Sequence, residues 1–91
     1  MRRHYLHELQ PGPLGGERWF NPHDSRGDAH SDILNYRDTY ESFGWLIGGD
    51  AATGYFMAKG NTQRTLDIVY VDLDERRHPA SNTIERFRPN L

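Results

Sequence analysis

The sequence predicts a small α+β domain: an antiparallel sheet of three to five strands with one or two short helices. Three observations predict it. Between Trp45 and Leu73 the apolar clusters are short and are cut by Gly48-Gly49-Asp50 and by Lys59-Gly60-Asn61, the pattern of strands joined by tight turns. One helical stripe, Ile33, Tyr36, Tyr40 and Phe43, repeats at spacings of three and four. With 91 residues and 35% hydrophobic content, the chain suffices for one domain with a modest core.

The elements follow in order. Residues 1–16 read as a flexible N-terminal arm. Tyr5, Leu6 and Leu9 make at most one amphipathic turn, and Pro11-Gly12-Pro13 with Gly15-Gly16 ends any regular structure. The folded domain is expected over residues 17–91. Residues 17–20 carry Trp19 and Phe20 as a short strand, and Asn21-Pro22 turns the chain. Residues 21–31 read as a polar loop. A helix follows over 32–41, with Ser31 as N-cap, Asp32 favourable to the helix dipole, and Gly44 as the stop.

Trp45-Leu46-Ile47 reads as a buried strand, with Gly48-Gly49-Asp50 as its turn. A second strand covers 54–58, placing Tyr55 and Met57 on one face and Phe56 on the other. Residues 66–73 are apolar on both faces in the middle, as a central strand requires. Residues 74–79 form a charged loop, after which Ser81 or Asn82 caps a last short helix through Arg86.

Composition narrows the function. There are no cysteines, so disulfides and thiolate metal sites are excluded, which suits a reducing compartment. No apolar run is long enough to span a membrane as a helix, and the two N-terminal arginines have no apolar segment behind them. A cytoplasmic protein is the expectation. The 11 basic and 13 acidic residues are well mixed, which argues against nucleic-acid binding. A domain this small has little stability to spare, so a partner protein or a homo-oligomer is expected to support it.

Few motifs carry chemistry. His23-Asp24 and Asp28-x-His30 place imidazoles and carboxylates close in sequence, making His23, Asp28 and His30 weak metal candidates. Their spacing matches no standard site, and a solvated loop explains them as well. No cofactor is expected. No Gly-x-Ser-x-Gly elbow and no phosphate loop is present, so the chain is read as not an enzyme. Arg26-Gly27-Asp28 is read as a tight turn. Asp72, Asp74 and Glu75 make an acidic strand exit, suited to steering a basic partner. The aromatic side chains are too many for a small core, leaving Trp19, Tyr55 and Tyr70 as candidate contacts for a partner protein.

Several segments resemble a known family. Leu34-Asn35-Tyr36-Arg37 with Tyr40, Trp45-Leu46-Ile47-Gly48-Gly49-Asp50 followed by Gly54-Tyr55-Phe56, Ile68-Val69-Tyr70-Val71, and residues 80–87 resemble the helix, Gly-rich hairpin, strand and closing helix of the SUKH superfamily. Those are bacterial immunity proteins with eukaryotic cell-wall-regulator relatives. The likeness covers roughly residues 17–88, and the N-terminal helices of the family have no counterpart in residues 1–16. It implies a non-catalytic protein that binds and neutralises a bacterial toxin or other effector. The alternative is a phage or other structural assembly subunit whose N-terminal arm wraps a neighbour. A metal-dependent enzyme using the loop from His23 to His30 ranks third.

Overall fold

The computed structural model describes residues 2–72 and 88–89. Its elements run β1 (Arg2–Gln10), β2 (Gly16–His23), α1 (Arg26–Ser42), β3 (Leu46–Asp50), β4 (Gly54–Lys59), β5 (Thr62–Asp72) and the two-residue β6 (Arg88–Pro89). The strands form one antiparallel sheet in the order β3-β4-β5-β1-β2-β6. The fold class is α+β, with α1 lying on one face of the sheet. The closing helix, the charged loop, Asp74 and Glu75 lie outside the described residues.

The largest departure from the sequence reading is at the N-terminus. Arg2–Gln10 is not an arm but a central strand, paired on one side with β5 from Arg2↔Asp72 to Leu9↔Thr65 and on the other with β2. Its helix-facing positions include Leu6 and Glu8, both fully buried. A buried carboxylate is tolerable only when hydrogen-bonded or paired. Here the Arg18 Nε donates to Glu8 at 2.9 Å, the Tyr40 hydroxyl donates to its other oxygen, and Arg64 stands at 4.0 Å. The Pro/Gly stretch after β1 is a hairpin loop. Gly15 N–H donates to Gly12 O at 3.0 Å, and a Cβ on Gly15 would lie 1.8 Å from Gln10 O, so only glycine closes this hairpin.

β2 is longer than the predicted strand and contains Asn21 and Pro22, which were expected to turn the chain. Between the pairs His4↔His23 and Leu6↔Phe20 the register shifts by one residue, and Asn21 adopts a positive φ of 52°. That is a β-bulge, a place where a sheet accepts proline.

The helix also begins earlier than its apolar stripe suggests. Ser25 in extended conformation caps it, its hydroxyl accepting from Asp28 N–H at 3.1 Å. Asp28 adds a carboxylate to the first turn, favourable to the helix dipole. Ser31, the expected cap, and the polar residues 26–31 are therefore helical. Arg26-Gly27-Asp28 is the first helical turn and not a loop tip.

At the other end of the sheet, Gly48-Gly49-Asp50 belongs to β3, and the reversal falls on residues 51–53. Asp50 sets that turn, its Oδ1 accepting from Thr53 Oγ1 and N–H at 2.7 and 2.8 Å, which holds its carboxyl below the usual range. Gly49, with φ of 85°, leaves room for Gly54 O, which a Cβ would approach to 2.3 Å. β4 alternates as predicted, with Tyr55 and Met57 inward and Phe56 outward. Between Lys59 and Thr62, Gly60 supplies the positive φ of 59° that the first position of a two-residue hairpin turn favours.

The core lies between α1 and the sheet: Leu6, Phe20, Ile33, Ala51, Tyr55, Met57 and Leu66, with Tyr36, Tyr40 and Trp45 packed against it. An edge-on ring contact between Phe20 and Tyr36 links helix to sheet, and one between Tyr40 and Trp45 links the helix to the residue that precedes β3.

Candidate functional site

The predicted contact residues do not form one surface. Tyr55 is a correction: at 5% exposure it is part of the core and is not available to a partner. The reason is alternation, which turns Tyr55 and Met57 together to the core side of the sheet. Trp19 is half-buried on the opposite face, its ring 5.1 Å from that of His7. Tyr70 is 53% exposed near the end of β5 and tilts against His4, with ring centroids 4.5 Å apart. Asp72 is exposed at the end of the same strand, opposite Arg2. Tyr70 and Asp72 therefore share one strand end, while Trp19 stands two strands away.

The histidine candidates also separate. Asp28 and His30 are exposed on α1. His23 ends β2 and pairs with Asp32 at 2.8 Å, and the same Asp32 oxygen accepts from Asn21 Nδ2 at 2.9 Å. Asp28, Ser31, Asp32 and Asn35 recur at helical spacing and line an open groove of about 530 Å³ with Asn21, Pro22 and His23. Among the described residues no three His, Asp or Glu side chains converge to hold a metal ion. Within the groove Asn21 and His23 both engage Asp32, which ties the bulge of β2 to α1.

A different surface carries unsatisfied apolar area. β3 is the edge of the sheet, and among the described residues nothing pairs with its outer side. Leu46 is 77% exposed there, although the sequence suggested a buried strand. Among the described residues this strand has one neighbour, and α1 covers the other face of the sheet, which leaves the outward face of β3 in solvent. Leu46 lies opposite Ala58, and Gly48 lies opposite Phe56, so Leu46 and Phe56 occupy the same outward face as diagonal neighbours. Phe56 is 49% exposed. Gly48 has no side chain to screen either of them. Phe43 is exposed at the same corner, its carbonyl accepting from Lys59 Nζ at 2.6 Å.

Sequence reasoning placed Phe56 on the outward face but did not single out Leu46, Phe56 or Phe43.

No protein-family model matches this chain, and neither a curated protein nor a solved structure matches it significantly. No helix among the described residues is long and apolar enough to cross a membrane.

Proposed function

We propose that this chain is a non-catalytic protein-binding module whose contact surface is the β3–β4 corner. The observation that carries this reading is the pairing of Leu46 and Phe56 on one outward face beside a strand edge that no described residue pairs with. Exposed aromatic and aliphatic anchors around a bare backbone strip are what a partner polypeptide covers with greatest gain, because it buries apolar area and satisfies strand N–H and C=O groups together. The specific form we favour is an immunity-type inhibitor of a bacterial toxin or other effector protein, on the strength of the sequence likeness described above. It would act by occluding its target. The assembly-subunit alternative rested on residues 1–16 as a free arm, and Arg2–Gln10 are committed to the sheet.

The test is affinity capture from bacterial lysate with the full chain and with a Leu46→Lys, Phe56→Ser double variant, followed by reconstitution with the purified partner. One stoichiometric partner, bound by the wild type and weakened at least tenfold by the double variant, supports the reading. Equal binding by both proteins overturns the assignment of this corner. A fold check by circular dichroism accompanies it, because exposed positions of this kind change stability by only about 0.5 kcal/mol.

A further inference from the structure

His7 sits at the middle of the central strand, on the face of the sheet opposite α1. Across from it on β5 is Asp67, and across from it on β2 is Trp19. Its Nδ1 lies 2.8 Å from Asp67 Oδ1 and its Nε2 lies 2.6 Å from Glu17 Oε2. Each imidazole nitrogen thus faces a carboxylate oxygen, one from each neighbouring strand.

This arrangement has a proton count. An ionised carboxylate only accepts hydrogen bonds, and a neutral imidazole has one N–H to give. Two short contacts to two carboxylates therefore require one proton beyond those of a neutral imidazole flanked by two carboxylates. With that proton the trio carries a net charge of −1. Without it the charge is −2, and one carboxylate faces a nitrogen lone pair at hydrogen-bond distance.

The surroundings keep the proton in place. The His7 side chain is mostly buried, while Glu17 and Asp67 are about a third exposed. Trp19 covers the ring from β2. From β4, Gly54 lies against Asp67, where a Cβ would come within 3.2 Å of the Asp67 Cβ. Among the described residues Glu17 and Asp67 are the titratable groups that face His7, and neither adds a competing cation. Burial opposes the charged ring, but the hydrogen bonds and charges of Asp67 and Glu17 together outweigh it, so the His7 pKa is raised.

We propose that His7, Glu17 and Asp67 form a proton-operated clasp that joins β5, β1 and β2 on the outer sheet face, closed when protonated and released when the proton leaves. The clasp crosses three strands with one side chain. Release converts a bridged row into a repulsive one, so loss of a single proton loosens both strand pairings of β1 at once. This makes the outer face, with Trp19 on it, a pH-responsive surface distinct from the β3–β4 corner.

The test is a ¹H–¹³C NMR titration of the histidine Cε1–H signals in the full-length protein, with Glu17→Gln and Asp67→Asn as isosteric neutral variants. His7→Gln assigns the signal. The expected result is a His7 midpoint above 6.5 that each neutral variant lowers. A wild-type midpoint at or below 6.5 overturns the proposal. So does a raised midpoint that neither Glu17→Gln nor Asp67→Asn moves. Trp19 indole chemical shifts, read in the same titration, should follow the His7 midpoint in the wild type and lose that step in His7→Gln; a Trp19 signal blind to the titration would remove the pH-responsive surface.

Discussion

The Tyr40 hydroxyl donates to the Glu8 carboxylate, joining the last turns of α1 to the middle of the central strand beneath it. Glu8 is fully buried, and this bond together with Arg18 makes its burial tolerable. Burial first, then the hydrogen bond to Glu8 and its charge, push the Tyr40 phenol up to about 12 against the opposing charge of Arg64, so it stays a donor throughout the physiological range. Tyr40→Phe removes the donor and leaves the carboxylate short of a partner. The expected loss is about 1–3 kcal/mol of unfolding free energy, read from the urea midpoint at pH 7. An unchanged midpoint would mean that water or Arg64 replaces the hydroxyl without cost.

Deletion of residues 1–10 should abolish the fold. β1 is paired along most of its length on both sides and contributes Leu6 to the core. Without it, β5 and β2 lose their shared neighbour and the sheet is cut in two. The truncated chain is expected to show no cooperative thermal transition by circular dichroism. A cooperative transition in that chain would restore the reading of this segment as an arm.

Ser25 and Ser31 make opposite predictions for the helix. Ser25 accepts from Asp28 N–H as N-cap, and Ser31 is exposed within the helix. Ser25→Ala should therefore cost about 1 kcal/mol, while Ser31→Ala should be neutral or slightly stabilising because alanine is the better helix former. Paired urea titrations of the two variants decide this. The reverse order would place the helix start where the apolar stripe begins.

Stability should decline through His7 as pH rises above the ordinary histidine value of 6.5. Folding raises the affinity of this ring for a proton, so its contribution is complete below the ordinary histidine value of 6.5 and is lost as pH rises through the higher folded value. Urea midpoints measured across that interval should fall in the wild type and stay flatter in His7→Gln. Parallel curves for the two proteins would assign the decline to other groups.

The α+β class, the hairpin from Gly54 through Thr62, the alternation of β4 and the central place of β5 were legible in the residues themselves. Each rests on a local rule: glycine at a positive φ, period-two alternation, or a run that is apolar on both faces in its middle. The candidate surfaces were less legible. Tyr70 and Asp72 emerged as exposed positions at one strand end, but Tyr55 went inward with Met57, and the Leu46–Phe56 patch carried no motif.

What the sequence by itself determined was therefore β4, its turn into β5 and the inward Ile33, Tyr36 and Tyr40 of the helix; the Gly48-Gly49-Asp50 turn became part of β3, and Phe43, the last residue of the stripe, is exposed. Only the tertiary structure decided the role of Arg2–Gln10. Read alone, that segment has histidines, glutamate and glutamine where a central strand should be apolar. Its polar side chains become acceptable in the interior because residues distant in sequence complete them: Arg18 and Tyr40 for Glu8, Glu17 and Asp67 for His7, and Arg64 for Gln10 at 2.8 Å. Hydrogen-bond satisfaction across 10 to 60 positions leaves no periodic trace in the chain, so hydrophobic pattern alone could not reveal the strand on which the sheet is built.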